Sequence, residues 1–332
     1  MSSGSTRRLR GHAYKEAFLA SLAHFIAAPS ADWPTVRCWT KSSLNRMFKD
    51  VKDEVGEAKP PQSNLELLGW LEKLGLAWAI QAEGSLFYLL ELGASARSEI
   101  APQELMMAYE PKGVVCFLSA MVIHSLTSQI PSHHHVAVLT NPRPAGAGRA
   151  VRSEGNGGEA GAPPTAAGTD GGQRVGSKSS PLGKVVFSYL GIHYHLTRRA
   201  ARLAPGVQIR GNGPRCRVRI TTYEQTLLDT LYKPYHCGGP PVVFEAWKEG
   251  AASGRLDEEK LVSYLKRMDY PATARRLAVM LRLMDYAPGR ELASYLDRVQ
   301  QGIDRTAQFS RISLLPGLDY SNLDEEWLVN AP

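Results

Sequence analysis

The sequence predicts an α+β fold in two parts. An N-terminal winged helix-turn-helix is followed by an α+β domain with a small mixed sheet and a helical layer. Three observations carry this. Residues 1–92 hold three stretches of helical periodicity, then two short apolar runs joined around Glu83-Gly84. Between Arg217 and Pro234 an alternating strand pattern turns directly into a capped amphipathic helix. From Val242 to Gln300 the helical period returns several times, punctuated by Gly and Pro.

Size and composition set the bounds. A chain of 332 residues with 43% hydrophobic content builds packed cores. No apolar run reaches the ~18 residues of a membrane span. The opening MSSGSTRRLRGH lacks the apolar region of a secretion signal, so a cytoplasmic protein is expected. Cys38, Cys116, Cys216 and Cys237 are scattered without CxxC spacing, which argues against a zinc ribbon and fits a reducing compartment. The net charge of +7 is uneven: residues 141–220 carry 13 basic and 3 acidic groups, whereas 113–140 carry none. A polyanionic partner is the natural expectation.

Ala13–Ala28 and Ser42–Val55 have apolar residues at helical spacing. Ser63 is the N-cap of a third helix, with Glu66 as its capping-box partner, and Gly75 ends it. Ala77–Gln81 and Leu86–Leu90 read as a hairpin. In a winged helix the helix before the wing reads the major groove. Here its polar positions include Glu66 and Glu72, which oppose phosphates, so a protein-contact role stays open beside a DNA-binding one. The DNA-binding reading rests on Lys41, Arg46, Lys49 and Lys52 along the second helix and on Gln62, Ser63 and Asn64 at the start of the third. An Arg7, Arg8, Arg10 arm adds to it.

Gly113–Ser128 reads as a buried helix and His135–Thr140 as a strand. Residues 141–182 are rich in Gly, Ala, Pro and Ser and are expected to be disordered, interrupting the second domain. Lys184–Leu190 resumes as a strand. His193–Leu203 brings Arg198, Arg199 and Arg202 on a short helical piece. Arg210, Arg217 and Arg219 follow on strands Val207–Arg210 and Cys216–Thr221. Together these six arginines are expected to form a polyanion or partner surface, where guanidinium forks suit phosphate or carboxylate. Thr222 caps the next helix. Further helices run over Val242–Glu249, Asp257–Met268, Pro271–Met284 (with Arg275, Arg276 and Arg282 outside) and Arg290–Gln300. Ser310–Leu315 and Trp327–Asn330 are expected to return to the sheet.

No catalytic or metal site is expected. His133, His134 and His135 alternate faces on an extended segment and so do not converge, and no acid or cysteine stands at ligand spacing from them or from His193 and His195. Ser119, His124 and Asp229 make a weak triad, because Ser119 lacks a nucleophile elbow. P-loop and dinucleotide fingerprints are absent, and no cofactor is implied.

The stretch Thr221-Thr222-x-Glu224-x-Thr226-Leu227-Leu228-Asp229 resembles the strand-to-helix signature of the AbiEi group, antitoxins of abortive-infection toxin–antitoxin pairs. Tyr223 and Gln225 stand where that group usually has Pro and Arg. Gly113–Leu126, with Ser119-Ala120, resembles its opening helix, Pro131–Leu139 the following strand, and Trp327–Asn330 the closing strand. The resemblance covers most of residues 100–332. It implies a winged helix over 1–92 that represses its own operon by binding operator DNA. It implies an antitoxin domain over 93–332 that counters a nucleotidyltransferase-type toxin from a neighbouring gene. A transcription or nucleic-acid-binding regulator without a toxin, and an enzyme using the His133–His195 region, are the alternatives.

Overall fold

A computed structural model describes residues 11–56, 62–92, 99–141, 182–306 and 310–332, and its fold is α+β. The expected Arg7–Arg10 arm and all but the ends of the 141–182 insertion lie outside the described residues.

The first part runs α1 (Gly11–Phe25), β1 (Cys38–Thr40), α2 (Lys41–Val55), α3 (Asn64–Lys73), β2 (Ala77–Ala82) and β3 (Ser85–Leu90). Both predicted inner helices start on capping boxes. Ser63 accepts from the Glu66 backbone while Glu66 reaches back, and Thr40 does the same with Ser43. Gly56 and Gly75 follow the two helices at φ 81° and 66°, a left-handed turn that glycine adopts without a Cβ clash. Tyr14, Phe18 and Leu22 of α1 pack with Leu44, Met47 and Phe48 of α2 and Leu67 and Leu71 of α3. The antiparallel sheet β1-β3-β2 completes a winged-helix arrangement.

The second part opens with α4 (Pro102–Tyr109), β4 (Val114–Val115) and α5 (Leu118–Ile123). The helix expected over Gly113–Ser128 is therefore corrected. Val115 pairs in parallel with Ile220, Phe117 turns the chain at φ 55°, and only Leu118–Ile123 is helical. An uncharged run buried on every side reads alike for strand and helix. Next come β5 (His133–Thr140), β6 (Lys184–Tyr189), β7 (Ile192–Ala200), β8 (Val207–Gly211) and β9 (Arg217–Thr221). These strands form one mixed sheet in the order β6-β7-β5-β4-β9-β8. His193–Leu203 is thus mostly strand, with a single 3₁₀ turn at Ala201–Leu203.

The helical layer is α6 (Tyr223–Tyr232), a 3₁₀ turn at Pro234–Cys237, α7 (Pro240–Ala252), α8 (Glu258–Met268), α9 (Pro271–Leu283) and α10 (Arg290–Gln301). The late strands β10 (Ile312–Ser313), β11 (Asn322–Asp324) and β12 (Val329–Ala331) pair with one another, not with the main sheet. Arg275 and Arg276, expected outside α9, are buried. They hold this small sheet by donating to the carbonyls of Trp327, Ser310 and Leu328 and of Ser313. Strands of two or three residues leave backbone acceptors unpaired, and the guanidinium forks satisfy them.

The two parts share a core. Cys38, Phe87 and Leu89 pack with Leu105, Met106, Phe187 and Val218. Arg37, ahead of β1, forks onto Glu104 of α4 at 2.9 and 2.6 Å and reaches Glu91 at 2.9 Å. The lead-in to β1 also bonds to that of β9: Val36 N–H donates to Arg215 O, and Arg217 N–H to Pro34 O. At the wing tip, Glu83 and Ser188 of β6 exchange two backbone hydrogen bonds of 2.9 Å. The wing is therefore joined to the edge of the large sheet.

Candidate nucleic-acid interface and a buried junction in the second part

The seven N-terminal residues singled out in the sequence divide into two groups. Lys41, Arg46 and Lys49 are exposed on α2, and Arg46 lies 4.1 Å over the Trp33 ring. The others build the joint between α2 and α3. Lys52 Nζ donates to Gln62 O at 2.9 Å, and burial lowers its pKa. Asn64 Nδ2 donates to Asn45 Oδ1 at 3.1 Å. Ser63 Oγ donates to Glu66 at 2.8 Å, and the Ser63 backbone bond holds the Glu66 carboxyl below its ordinary value. The outer face of α3 presents Leu65, 79% exposed, with Glu66, Glu72 and Lys73. An α3 of this character presents little to phosphate, whereas α2 presents Lys41, Arg46 and Lys49.

The six C-terminal arginines do not form one surface. β7 and β9 are separated in the sheet by β5 and β4. Directly opposed residues share a face, so Arg210, opposite Val218, points away from the face holding Arg217 and Arg219. Arg210 and Arg219 donate to the carbonyls of Ile123 and Lys112, and Arg202 to that of Met268. Arg198 and Arg217 are exposed. Arg199 is buried, and its place on a binding surface is corrected. It pairs with Asp229 through Nη1–Oδ2 at 2.7 Å and Nη2–Oδ1, and its Nη2 also donates to Leu203 O.

That pair belongs to the strand-to-helix junction. Thr222 caps α6 by accepting from Gln225 N. Thr226 Oγ1 donates to Thr222 O at 2.7 Å and lies 2.8 Å from Thr221 Oγ1. Gln225 turns its amide onto Asp229 Oδ1 at 2.8 Å. Thr221, Glu224, Gln225, Thr226 and Asp229 are all buried. Gly206 closes the junction from the side, because a Cβ there would lie 2.5 Å from Tyr264. The triad considered for Ser119, His124 and Asp229 does not assemble. Ser119 Oγ accepts from His135 N and lies beside His134, while the His124 ring bonds to Thr221 O. The junction is a structural knot.

Sequence reasoning set aside a histidine group that the fold brings together and did not include His236 in it. Adjacent histidines on a strand do diverge, but His133 and His135, two apart, share a face. Parallel pairing sets His193 and His195 beside them, and His236 joins from the 3₁₀ turn after α6. The period-two signal was present; the partner strand and His236 were not legible. Burial lowers the pKa of His133 and His195, that of His236 to about 4 and that of His135 to about 2.

No family model matches the chain, and no curated protein matches it. Among solved structures it is similar to the Rv2827c protein from Mycobacterium tuberculosis. The two share 12% identity over 98% of this chain and 93% of that one, with a TM-score of 0.47. A likeness at this level carries no argument. No helix among the described residues is long and apolar enough to cross a membrane.

Proposed function

We propose that the protein is an antitoxin of the AbiEi type that also represses its own operon by binding operator DNA, acting in the cytoplasm without a catalytic step of its own. One observation carries the reading. The residues that resemble the AbiEi signature, Thr222, Glu224, Thr226 and Asp229, form the buried strand-to-helix junction of the second part, and the first part is a winged helix with exposed cations on α2. DNA contact is assigned to Lys41, Arg46 and Lys49, with Gln62, Ser63 and Asn64 holding α3 in register. Arg198 and Arg217, exposed on the second part, are offered to DNA or to a nucleotidyltransferase-type toxin.

The test has two arms, both on the full chain. Duplex DNA from upstream of the gene is titrated at several salt concentrations, and cells expressing the neighbouring reading frame are grown with and without the protein. Salt-dependent binding and restored growth are the expected results. Binding without rescue leaves a transcriptional regulator lacking a toxin partner. Rescue without binding removes the repressor role.

A further inference from the structure

Between α8 and α10 lies an open cleft of about 420 Å³, lined by Lys266 of α8 and by Arg290, Glu291, Ser294 and Arg298 of α10. All five side chains are exposed, but the helices that carry them are fixed from below. Leu292 and Leu296 of α10 are buried in the same core as Leu261 and Leu265 of α8. Glu258 of α8 accepts the Gly289 N–H at 2.8 Å, which fastens the start of α10. Arg290, Ser294 and Arg298 stand four residues apart and follow one stripe of α10. The two arginines are therefore about 12 Å apart along its axis.

The charge of this cleft is unanswered. The other cations of the two helices are engaged: Lys260 pairs with Asp257 at 2.8 Å, and Arg267 donates to Pro205 O. The side chains of Lys266, Arg290 and Arg298 have no hydrogen bond or ion pair among the described residues, although residues 221–332 carry 16 acidic groups against 13 basic ones. No lining side chain is apolar, whereas a pocket for an ordinary organic ligand is mostly so. The cleft reads charge. Guanidinium forks grip phosphate oxygens in pairs, a lysine adds a point charge and a serine hydroxyl donates.

We propose that this cleft binds an oligophosphate, the linked phosphate groups of a small molecule, through Arg290, Arg298 and Lys266, with Ser294 donating. A chain of phosphates meets both arginines, which a single orthophosphate does not. A nucleic-acid backbone fits less well. Glu291 lines the cleft, and a long polyanion leaving it crosses a segment richer in acids than in bases. The antitoxin reading makes no use of this site.

The experiment is calorimetric titration of the full chain at low salt with inorganic tripolyphosphate, a nucleoside triphosphate and orthophosphate. Tripolyphosphate is expected to bind with a Kd below about 1 mM, and orthophosphate about ten-fold more weakly. A nucleoside triphosphate that binds more tightly than tripolyphosphate identifies the source as a nucleotide; equal or weaker binding identifies a free oligophosphate. Either upholds the site. Arg290→Gln with Arg298→Gln should weaken tripolyphosphate binding about ten-fold, whereas Lys248→Gln with Arg311→Gln, the same charge change elsewhere on the surface, should alter it less than about two-fold. Lys266→Gln gives a second, independent loss. The proposal is overturned if tripolyphosphate does not bind, if the Arg290 and Arg298 pair can be replaced without loss, or if the control pair loses as much. Duplex DNA binding that depends on Arg290 and Arg298, without affinity for any oligophosphate, overturns it in favour of a nucleic-acid surface. None of these outcomes depends on the neighbouring gene.

Discussion

Replacing Asp229 with alanine isolates the strand-to-helix junction of the second part. Asp229 is fully buried and the Arg199 side chain is 5% exposed. Arg199 cannot shed its proton at accessible pH, so removing the carboxylate strands a guanidinium away from water. It also removes the 2.8 Å bond of the Gln225 amide and leaves that donor only its 3.3 Å bond to Leu203 O. Breaking a buried pair from one side costs about 3–5 kcal/mol. With a urea dependence of about 3 kcal/mol per molar, the unfolding midpoint falls by about 1–1.7 M. Equilibrium urea unfolding followed by circular dichroism measures this directly. The double replacement Asp229→Leu with Arg199→Met should recover much of the loss, because it removes both charges together. A midpoint within about 0.3 M of wild type for Asp229→Ala would refute the reasoning, since it would mean that Arg199 finds water or another anion at little cost.

Further predictions concern the joints and the histidines. Glu104→Ala removes the fork that holds Arg37 and should lower the urea midpoint by about 1 M in the same assay. Thr222→Ala deletes the α6 cap and should cost about 1 kcal/mol in the same urea assay, with Thr222→Ser restoring most of it. Stability should also fall with acid. Unfolded imidazoles titrate near 6.5, whereas folded His134 and His236 do so at about 4 and His135 at about 2. Their contribution is complete above pH 6.5 and is lost as pH drops toward the folded values, each ring removing up to about 1.4 kcal/mol per pH unit. Urea midpoints equal at pH 7.5 and 5.5 would contradict this. Arg217→Glu should weaken DNA binding and reduce its salt slope by about 1, measured by fluorescence anisotropy, if Arg217 contacts phosphate.

Features written in local sequence were legible. The capping box at Ser63 and Glu66, the cap at Thr222, the hairpin around Glu83-Gly84 and the helices from Pro240 onward all stand where periodicity and cap chemistry placed them. What depended on a distant partner was not. Val114–Val115 is a strand only because Ile220, Val136 and Ala137 lie beside it. Arg275 and Arg276 satisfy the exposed helical pattern by charge, yet the carbonyls that bury them belong to residues some 35–50 positions later. The same blindness merged the arginines of β7 and β9 into one surface. Charge density is a sequence property, but which face and which strand carry it is decided by register.

The hydrogen bonds between residues 34–36 and 215–217 also bear on the order of synthesis. The ribosome completes the winged helix long before Arg217 emerges. Until then the lead-in to β1 lacks its companion and the apolar side of Phe87 and Leu89 lacks part of its cover, Val218 and Ile220 included. A nascent chain therefore holds an unfinished first part through most of its translation, and early termination leaves a product with an exposed apolar face. The joint between the two parts therefore closes late, once residues 215–217 are made.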